Sequence, residues 1–326
     1  MKNRRALKIS IGLAIFLVLT IFYMFGEFSS QKTEVIYFVS KTSSENSTFW
    51  HSVERGVKVA TDELGIELIF VGPEREIDLE HQAELVRQGI ELNPTAIILA
   101  ASDYTALAEV SQEVVDHKIT FLTVDSDVDI SSSHSFIATN NVQAAKELAS
   151  YMAKAIKLEG EIAIVSHLEG TTSAIDRVEG FRQGISGYSD IDVIDEIPYS
   201  NNDAEQAYEV TKVLIDQHPK IKGIFGTNEA TLIGIAKAVD QLGLSGQITV
   251  VGFDISNQAA GYLEKDIIEA IVVQRPFNMG YLSVKEAYKQ STSGKTSEII
   301  DVDVVLVTKE NMFEEENQKF IIPFLE

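Results

Sequence analysis

Seven residues of this 326-residue chain combine side-chain chemistry and position in a way that suits a small polyhydroxylated ligand: Phe49, Trp50, Asp125, Arg177, Asn228, Asp254 and Gln274. Asp254 is the sharpest of them. It follows Ile248-Thr249-Val250-Val251-Gly252-Phe253, a continuous apolar run of the kind that forms a buried strand of a parallel sheet. Gly252 is expected to let the chain bend where that strand ends. A carboxylate just past the strand's carboxyl end lies where open α/β sheets bind ligands, and it accepts hydrogen bonds without donating any. Asp125 ends Phe121-Leu122-Thr123-Val124 in the same way, Asn228 ends Ile224-Phe225-Gly226-Thr227, and Gln274 ends a further apolar run. Arg177 follows Gly170-Thr171-Thr172-Ser173 at the start of a helical pattern, and Phe49-Trp50 opens another. Flat rings stack on the apolar faces of a sugar, and planar Asp, Asn, Gln and Arg groups bond pairs of neighbouring hydroxyls. Each residue also has a plainer role open to it. Asp254 and Asn228 could cap the next helix, and Asp125 could be a turn acid. Arg177 could pair with Asp176 or Glu179 on the surface, and Phe49 and Trp50 could be ordinary core.

Catalytic and metal chemistry find little support. The six histidines, His51, His81, His117, His134, His167 and His218, show no ligand spacing. Cysteine is absent, which excludes disulfides, thiolate metal sites, cysteine nucleophiles and lipid attachment through cysteine. Gly294-Lys295-Thr296 lacks the glycine at 289 that a phosphate loop needs and reads as a surface turn. No G-x-G-x-x-G opens a helix after a strand, and no G-x-S-x-G elbow is present. A sugar-processing enzyme would need a general acid and base, for which Asp125 and Asp254 are the available pair. No cofactor and no metal are expected.

Strand-like and helix-like runs alternate from Glu34 onward. The strand runs are 35–40, 67–71, 96–100, 119–124, 161–166, 193–197, 223–226, 248–253, 268–274 and 302–307; the helical ones are 48–64, 79–92, 106–117, 143–157, 173–188, 204–217, 230–242 and 277–290. Such alternation predicts an α/β fold of doubly wound parallel sheets, and ten strands are too many for one ordinary sheet. Two lobes around a ligand cleft are therefore expected. Residues 34–138 with 276–303 would form the N-terminal lobe, and 139–275 with 304–326 the C-terminal one. The three crossings would fall near Thr139-Asn140, Gln274–Pro276 and Asp303-Val304, a hinge about the cleft. Glu314-Glu315-Glu316 reads as a solvated turn before a last apolar segment docked on the body.

The formal charge is −22, although Lys2, Arg4, Arg5 and Lys8 make the first ten residues basic, so the body is four units more acidic still. Such a body repels nucleic acid. Residues 1–8 read as a cytoplasmic basic flank and 9–26 as a signal anchor, with a cleaved signal peptide as the rival reading. A membrane-tethered or secreted extracytoplasmic body follows from either.

Residues 34–311 resemble the ribose-type periplasmic sugar-binding proteins, the type I solute-binding fold. The marks are Thr48-Phe49-Trp50-His51-Ser52-Val53-Glu54-Arg55-Gly56, Thr123-Val124-Asp125, Ile137-Ala138-Thr139-Asn140-Asn141, Gly170-Thr171-Thr172-Ser173 through Asp176-Arg177-Val178-Glu179-Gly180-Phe181, Thr227-Asn228-Glu229, Val250-Val251-Gly252-Phe253-Asp254 and Gln274-Arg275-Pro276. The resemblance implies that Phe49 and Trp50 stack on a sugar, that Asp125, Arg177, Asn228, Asp254 and Gln274 bond its hydroxyls, and that the lobes close on it. Departures stand beside it. Ser126 occupies the place of an arginine that ribose binders carry after the Asp, Ser47 that of an asparagine, and a polar residue of Ser200-Asn201-Asn202 that of a second-lobe aromatic. The ligand expected is a monosaccharide, a pentose such as xylose or ribose or another aldose, with an autoinducer-type furanose as the alternative. The partner expected is a membrane histidine kinase or an ABC permease. The same fold serves LacI-type repressors, but a membrane segment here replaces their DNA-binding head.

Overall fold

The computed structural model describes residues 34–45, 47–294 and 298–322. The N-terminal targeting stretch, Asn46, Lys295-Thr296 of the surface turn and residues 323–326 lie outside them. Among the described residues no helix is long and apolar enough to cross a membrane.

Twelve strands are described: β1 (Val35–Val39), β2 (Glu67–Val71), β3 (Ala96–Leu99), β4 (Thr120–Val124), β5 (Ser135–Ala138), β6 (Gly160–Val165), β7 (Ile191–Val193), β8 (Ile221–Gly226), β9 (Thr249–Phe253), β10 (Ala270–Val273), β11 (Ile299–Asp301) and β12 (Val305–Val307). The helices are α1 (Thr48–Leu64), α2 (Leu79–Leu92), α3 (Ala108–Asp116), α4 (Asn141–Ala155), α5 (Thr172–Ile185), α6 (Ala204–Gln217), α7 (Glu229–Gln241), α8 (Asn257–Glu264), α9 (Pro276–Ser293) and α10 (Glu315–Ile321). The strands form two sheets, in the orders β11-β5-β4-β3-β1-β2 and β12-β10-β9-β8-β6-β7. Strand for strand the two orders are the same, and the lobes differ only in the direction of the last strand. All pairs are parallel except β10–β12.

Both faces of each sheet are covered. Along β1 the period of two sends Ile36 and Phe38 into the core under α1 and α9, and Tyr37 and Val39 into the core under α2 and α3. This is why the strand reads as an unbroken apolar run. Helix α1 follows from its stripe of Val53, Val57 and Ala60, from the Ser47 side chain capping the Trp50 N–H, and from Gly65, which ends it with φ 69°.

Several boundaries differ from the expectation. The strand expected at 193–197 is only Ile191–Val193, an edge strand that pairs β6 over three residues. Strand β5 and helix α8 are too short to show a clear period and were not among the expected elements. Of the run expected at 302–307 only Val305–Val307 is a strand, β12, which pairs β10 in the second sheet; β11 just before the run pairs β5 in the first, and 302–304 passes between them. The chain also passes between sheets from β5 to α4 and from β10 to α9. Glu314, Glu315 and Glu316 are exposed; Glu314 precedes α10 without a side-chain cap bond, Glu315 and Glu316 open the helix, and its Ile321 is buried against the second lobe.

Helices α1 and α9 approach closely through glycine. A Cβ on Gly56 would run into the carbonyl of Phe277, and one on Gly280 into that of Val53. Gly56→Ala is expected to cost about 1–3 kcal/mol through overpacking. Thermal unfolding followed by circular dichroism would show it, and an unchanged melting temperature would contradict the close approach.

Candidate functional site

In both lobes the strand order reverses at one point, between β1 and β3 and between β6 and β8. Chains leaving the carboxyl ends there diverge and open a crevice. The residues just past those ends come in equivalent pairs. Lys41 follows β1 as His167 follows β6, and Asp125 follows β4 as Asp254 follows β9.

The two aspartates share an uncommon backbone. Asp125 has φ 63° and Asp254 φ 69°, the left-handed region that most residues avoid. Each is pinned by its main chain: the Asp125 N–H donates to Ile137 O in 2.9 Å, and the Asp254 N–H to Val272 O in 2.9 Å. The bend after β9 is therefore made by Asp254 itself. Gly252 lies inside the strand, where a Cβ would crowd the Gly226 carbonyl and Leu232. Asp254 does not cap the following helix either, since Ser256 caps α8.

On the first lobe, Asp125 Oδ2 is 2.7 Å from the Lys41 ammonium and accepts from Ser126 Oγ at 3.1 Å. Lys41 is 3% exposed. Ser126 leaves room for this lysine to reach Asp125 from the end of β1, which lies beyond β3 in the sheet. On the second lobe, Asp254 Oδ2 lies 3.6 Å from Arg177 Nη1, and its Oδ1 accepts from Gln274 Nε2 at 2.7 Å. Arg177 is buried, not paired on the surface with Asp176 or Glu179. Its Nε donates to Asn141, its Nη1 to Thr227 O, and its plane lies 4.2 Å from the centre of the Phe253 ring. Burial raises the Asp254 pKa, and Arg177 and Gln274 only partly oppose this. An ion-paired carboxylate is usually shifted down. Here the pair is long and the guanidinium is shared, so burial wins. Gln274 Oε1 is buried with no hydrogen-bond partner among the described residues.

Phe49 and Trp50 stand edge to face at the start of α1, ring centres 5.2 Å apart. Trp50 belongs to the first-lobe core as well, and its indole N–H donates to Glu76 at 3.2 Å. Asn228 does cap α7, accepting from Thr231 N at 3.1 Å, while its amide donates to Asn202. Ser47, beyond capping α1, lines the same space, as do Asn201 and Asn202. All seven residues singled out from the sequence face one cavity of about 510 Å³, within the range of small-molecule sites.

A profile of the periplasmic binding protein domain matches residues 36–296. The chain belongs to the periplasmic binding protein family. Within this family it is 25% identical over 273 residues to the D-ribose/D-allose-binding protein of Pseudomonas aeruginosa, covering 80% of this chain and 85% of that one. Its fold is similar to a carbohydrate-transporter solute-binding protein of Agrobacterium radiobacter in complex with D-arabinose (TM-score 0.84, 28% identity, 90% and 100% of the two chains). It is also similar to an ABC-transporter solute-binding protein of Agrobacterium vitis with bound D-fucose (TM-score 0.83, 30% identity, 88% and 99%).

As a periplasmic binding protein the chain lines its cleft with residues beyond the seven, among them Lys41, Glu76, His167 and Glu229. Lys41 was findable, because it follows a strand end as Asp125 does. Glu229 was findable too, because it opens the expected helix directly after Asn228, whereas Glu76 sits on a loop whose fold only the structure gives. Both carboxyls are pushed up, first by burial; Lys41 and the Trp50 indole oppose it for Glu76, and Ser256 and Thr48 for Glu229. Thr48 Oγ1 donates to Glu229 across the cleft at 3.2 Å.

His167 is buried, with Nδ1 2.8 Å from Thr227 Oγ1. Burial above all, then the Arg177 and Lys41 charges, holds it well below its ordinary pKa. The unfolded chain takes up a proton below about pH 6.5 that folded His167 refuses, so this contribution to stability is lost progressively as pH falls from there. NMR titration should show the His167 ring neutral at pH 6, and His167→Gln should lessen the acid loss of stability. A ring protonating near pH 6.5 would contradict this.

Proposed function

We propose that this protein is an extracytoplasmic receptor for one uncharged monosaccharide, a pentose or hexose, which it holds between its lobes without altering it. One observation carries the reading. Two buried aspartates in left-handed conformation, at equivalent strand ends of the two lobes, face one cavity of monosaccharide size. Hydroxyl groups supply the donors that two carboxylates and the Gln274 carbonyl oxygen lack. Phe49 and Trp50 supply the flat apolar surface, and Arg177 and Asn228 complete the polar rim. The relatives' printed ligands, ribose, allose, arabinose and fucose, support this class.

Closure would then be what a membrane partner reads. An ABC permease is the partner that the transporter relatives point to. A membrane histidine kinase is the reading favoured by the basic flank and apolar run at the N-terminus, which would tether the body without a lipid-bearing cysteine. Copurification with a labelled permease or kinase encoded beside the gene would separate the two.

Isothermal titration of the purified protein with single pentoses and hexoses is expected to give one saturable ligand, recovered unchanged by NMR. Asp254→Ala should weaken it by about 10- to 150-fold, the loss of a charged hydrogen bond worth roughly 1.5–3 kcal/mol. Chemical turnover of the sugar, or an unchanged dissociation constant, would refute the assignment.

A further inference from the structure

Lys41 meets its hydrogen-bonding needs from both lobes and without a ligand. Its ammonium carries three protons and has four side-chain oxygens around it. Two are on the first lobe, Asp125 Oδ2 at 2.7 Å and Ser126 Oγ at 2.7 Å. Two are on the second lobe, Thr171 Oγ1 at 3.1 Å and Ser173 Oγ at 3.3 Å. The hydroxyls also bond one another across the boundary: Thr171 Oγ1 donates to Ser126 Oγ at 3.0 Å, and Ser126 Oγ lies 3.1 Å from Ser173 Oγ. A buried ammonium is costly unless its protons are all taken up. Parting the lobes removes Thr171 and Ser173 and lets water in. Bringing them together excludes water and needs at least one of the two hydroxyls for the third proton.

The same arrangement divides the Asp125 carboxylate. Its Oδ2 is occupied by Lys41 and Ser126, and among the described residues no side chain bonds its Oδ1. A carboxylate with both oxygens open can take two adjacent hydroxyls of a sugar at once; this one offers a single oxygen.

We propose that Lys41 is a positioning residue of the cleft: it ties Asp125 to Thr171 and Ser173 of the facing lobe and leaves Asp125 one oxygen for the ligand. Engagement of a single hydroxyl at Asp125 and closure of the lobes are then one event. This rests on the monosaccharide reading, with the second half of the test independent of it.

The chain has no cysteine. One cysteine introduced at an exposed helix position of each lobe therefore gives two unique spin-label sites in the full-length protein. Interlobe distances by double electron–electron resonance, with and without saturating sugar, are compared for the parent, Lys41→Met and Thr171→Val, and affinity is measured by titration. Lys41→Met leaves Asp125 buried and unpaired, so the dissociation constant should rise roughly 30-fold or more. Its ligand-free distances should shift to longer values than the parent's. Thr171→Val leaves the first-lobe pair and the Ser173 contact intact and should show a smaller shift in the same direction, with a roughly two- to tenfold loss of affinity. A lysine that merely held the first lobe together would lower the melting temperature and leave the interlobe distances alone. Distances and affinity unchanged in both variants would overturn the proposal. If the parent binds no monosaccharide, the sugar reading fails, and the ligand-free distances of the two variants still decide whether Lys41 ties the lobes.

Discussion

For two buried carboxylates lining one cleft to bind a sugar as proposed, each must be oriented and only partly satisfied. An unpaired charge out of water costs several kcal/mol, and a fully paired one has nothing left for a ligand. The fold meets both demands with a cation for each acid. Lys41 takes one oxygen of Asp125, while Arg177, partly spent on Asn141 and Thr227, stands at long range from Asp254. Gln274 orients Asp254 and keeps a bare carbonyl oxygen beside it. Much of the surrounding architecture serves to deliver these side chains to one spot.

The delivery is by repetition. Both sheets share one strand order, and both place an aspartate after the fourth strand counted along the chain, with its N–H bonded to the neighbouring strand. The left-handed turn at each aspartate throws its side chain into the crevice rather than along the strand. Aspartate tolerates that conformation better than most residues. Its cost is sustained because strand pairing on both sides fixes the backbone. The lobes are not chemically symmetric, however. Lys41 is charged and reaches across, whereas its counterpart His167 is neutral and turned to Thr227 of its own lobe.

Much of this was legible in the sequence because parallel strands buried on both faces announce themselves as apolar runs, and polar residues that end such runs stand out. Asp125, Asn228, Asp254 and Gln274 were found that way and share one cavity. What was not legible is instructive. Strands of three or four residues, β5, β7 and β11, carry too little pattern to bound. Gly252 suggested a bend that Asp254 makes. Lys41 met the same positional rule as the aspartates, but its role depends on Thr171 and Ser173, 130 and 132 residues away. Glu76 faces the cleft only because of how its loop is placed. Ser126, a departure at the level of sequence, makes sense once a cation is seen to arrive from another strand.

The most direct measurement is a crystal structure of the full protein with the monosaccharide that binds it. Density for one sugar is expected between the two strand-end aspartates, with a hydroxyl on Asp125 Oδ1, another on Asp254 or Gln274 Oε1, and a ring face against Phe49 or Trp50. A ligand seated elsewhere, or one in the cleft that touches neither aspartate, would contradict it.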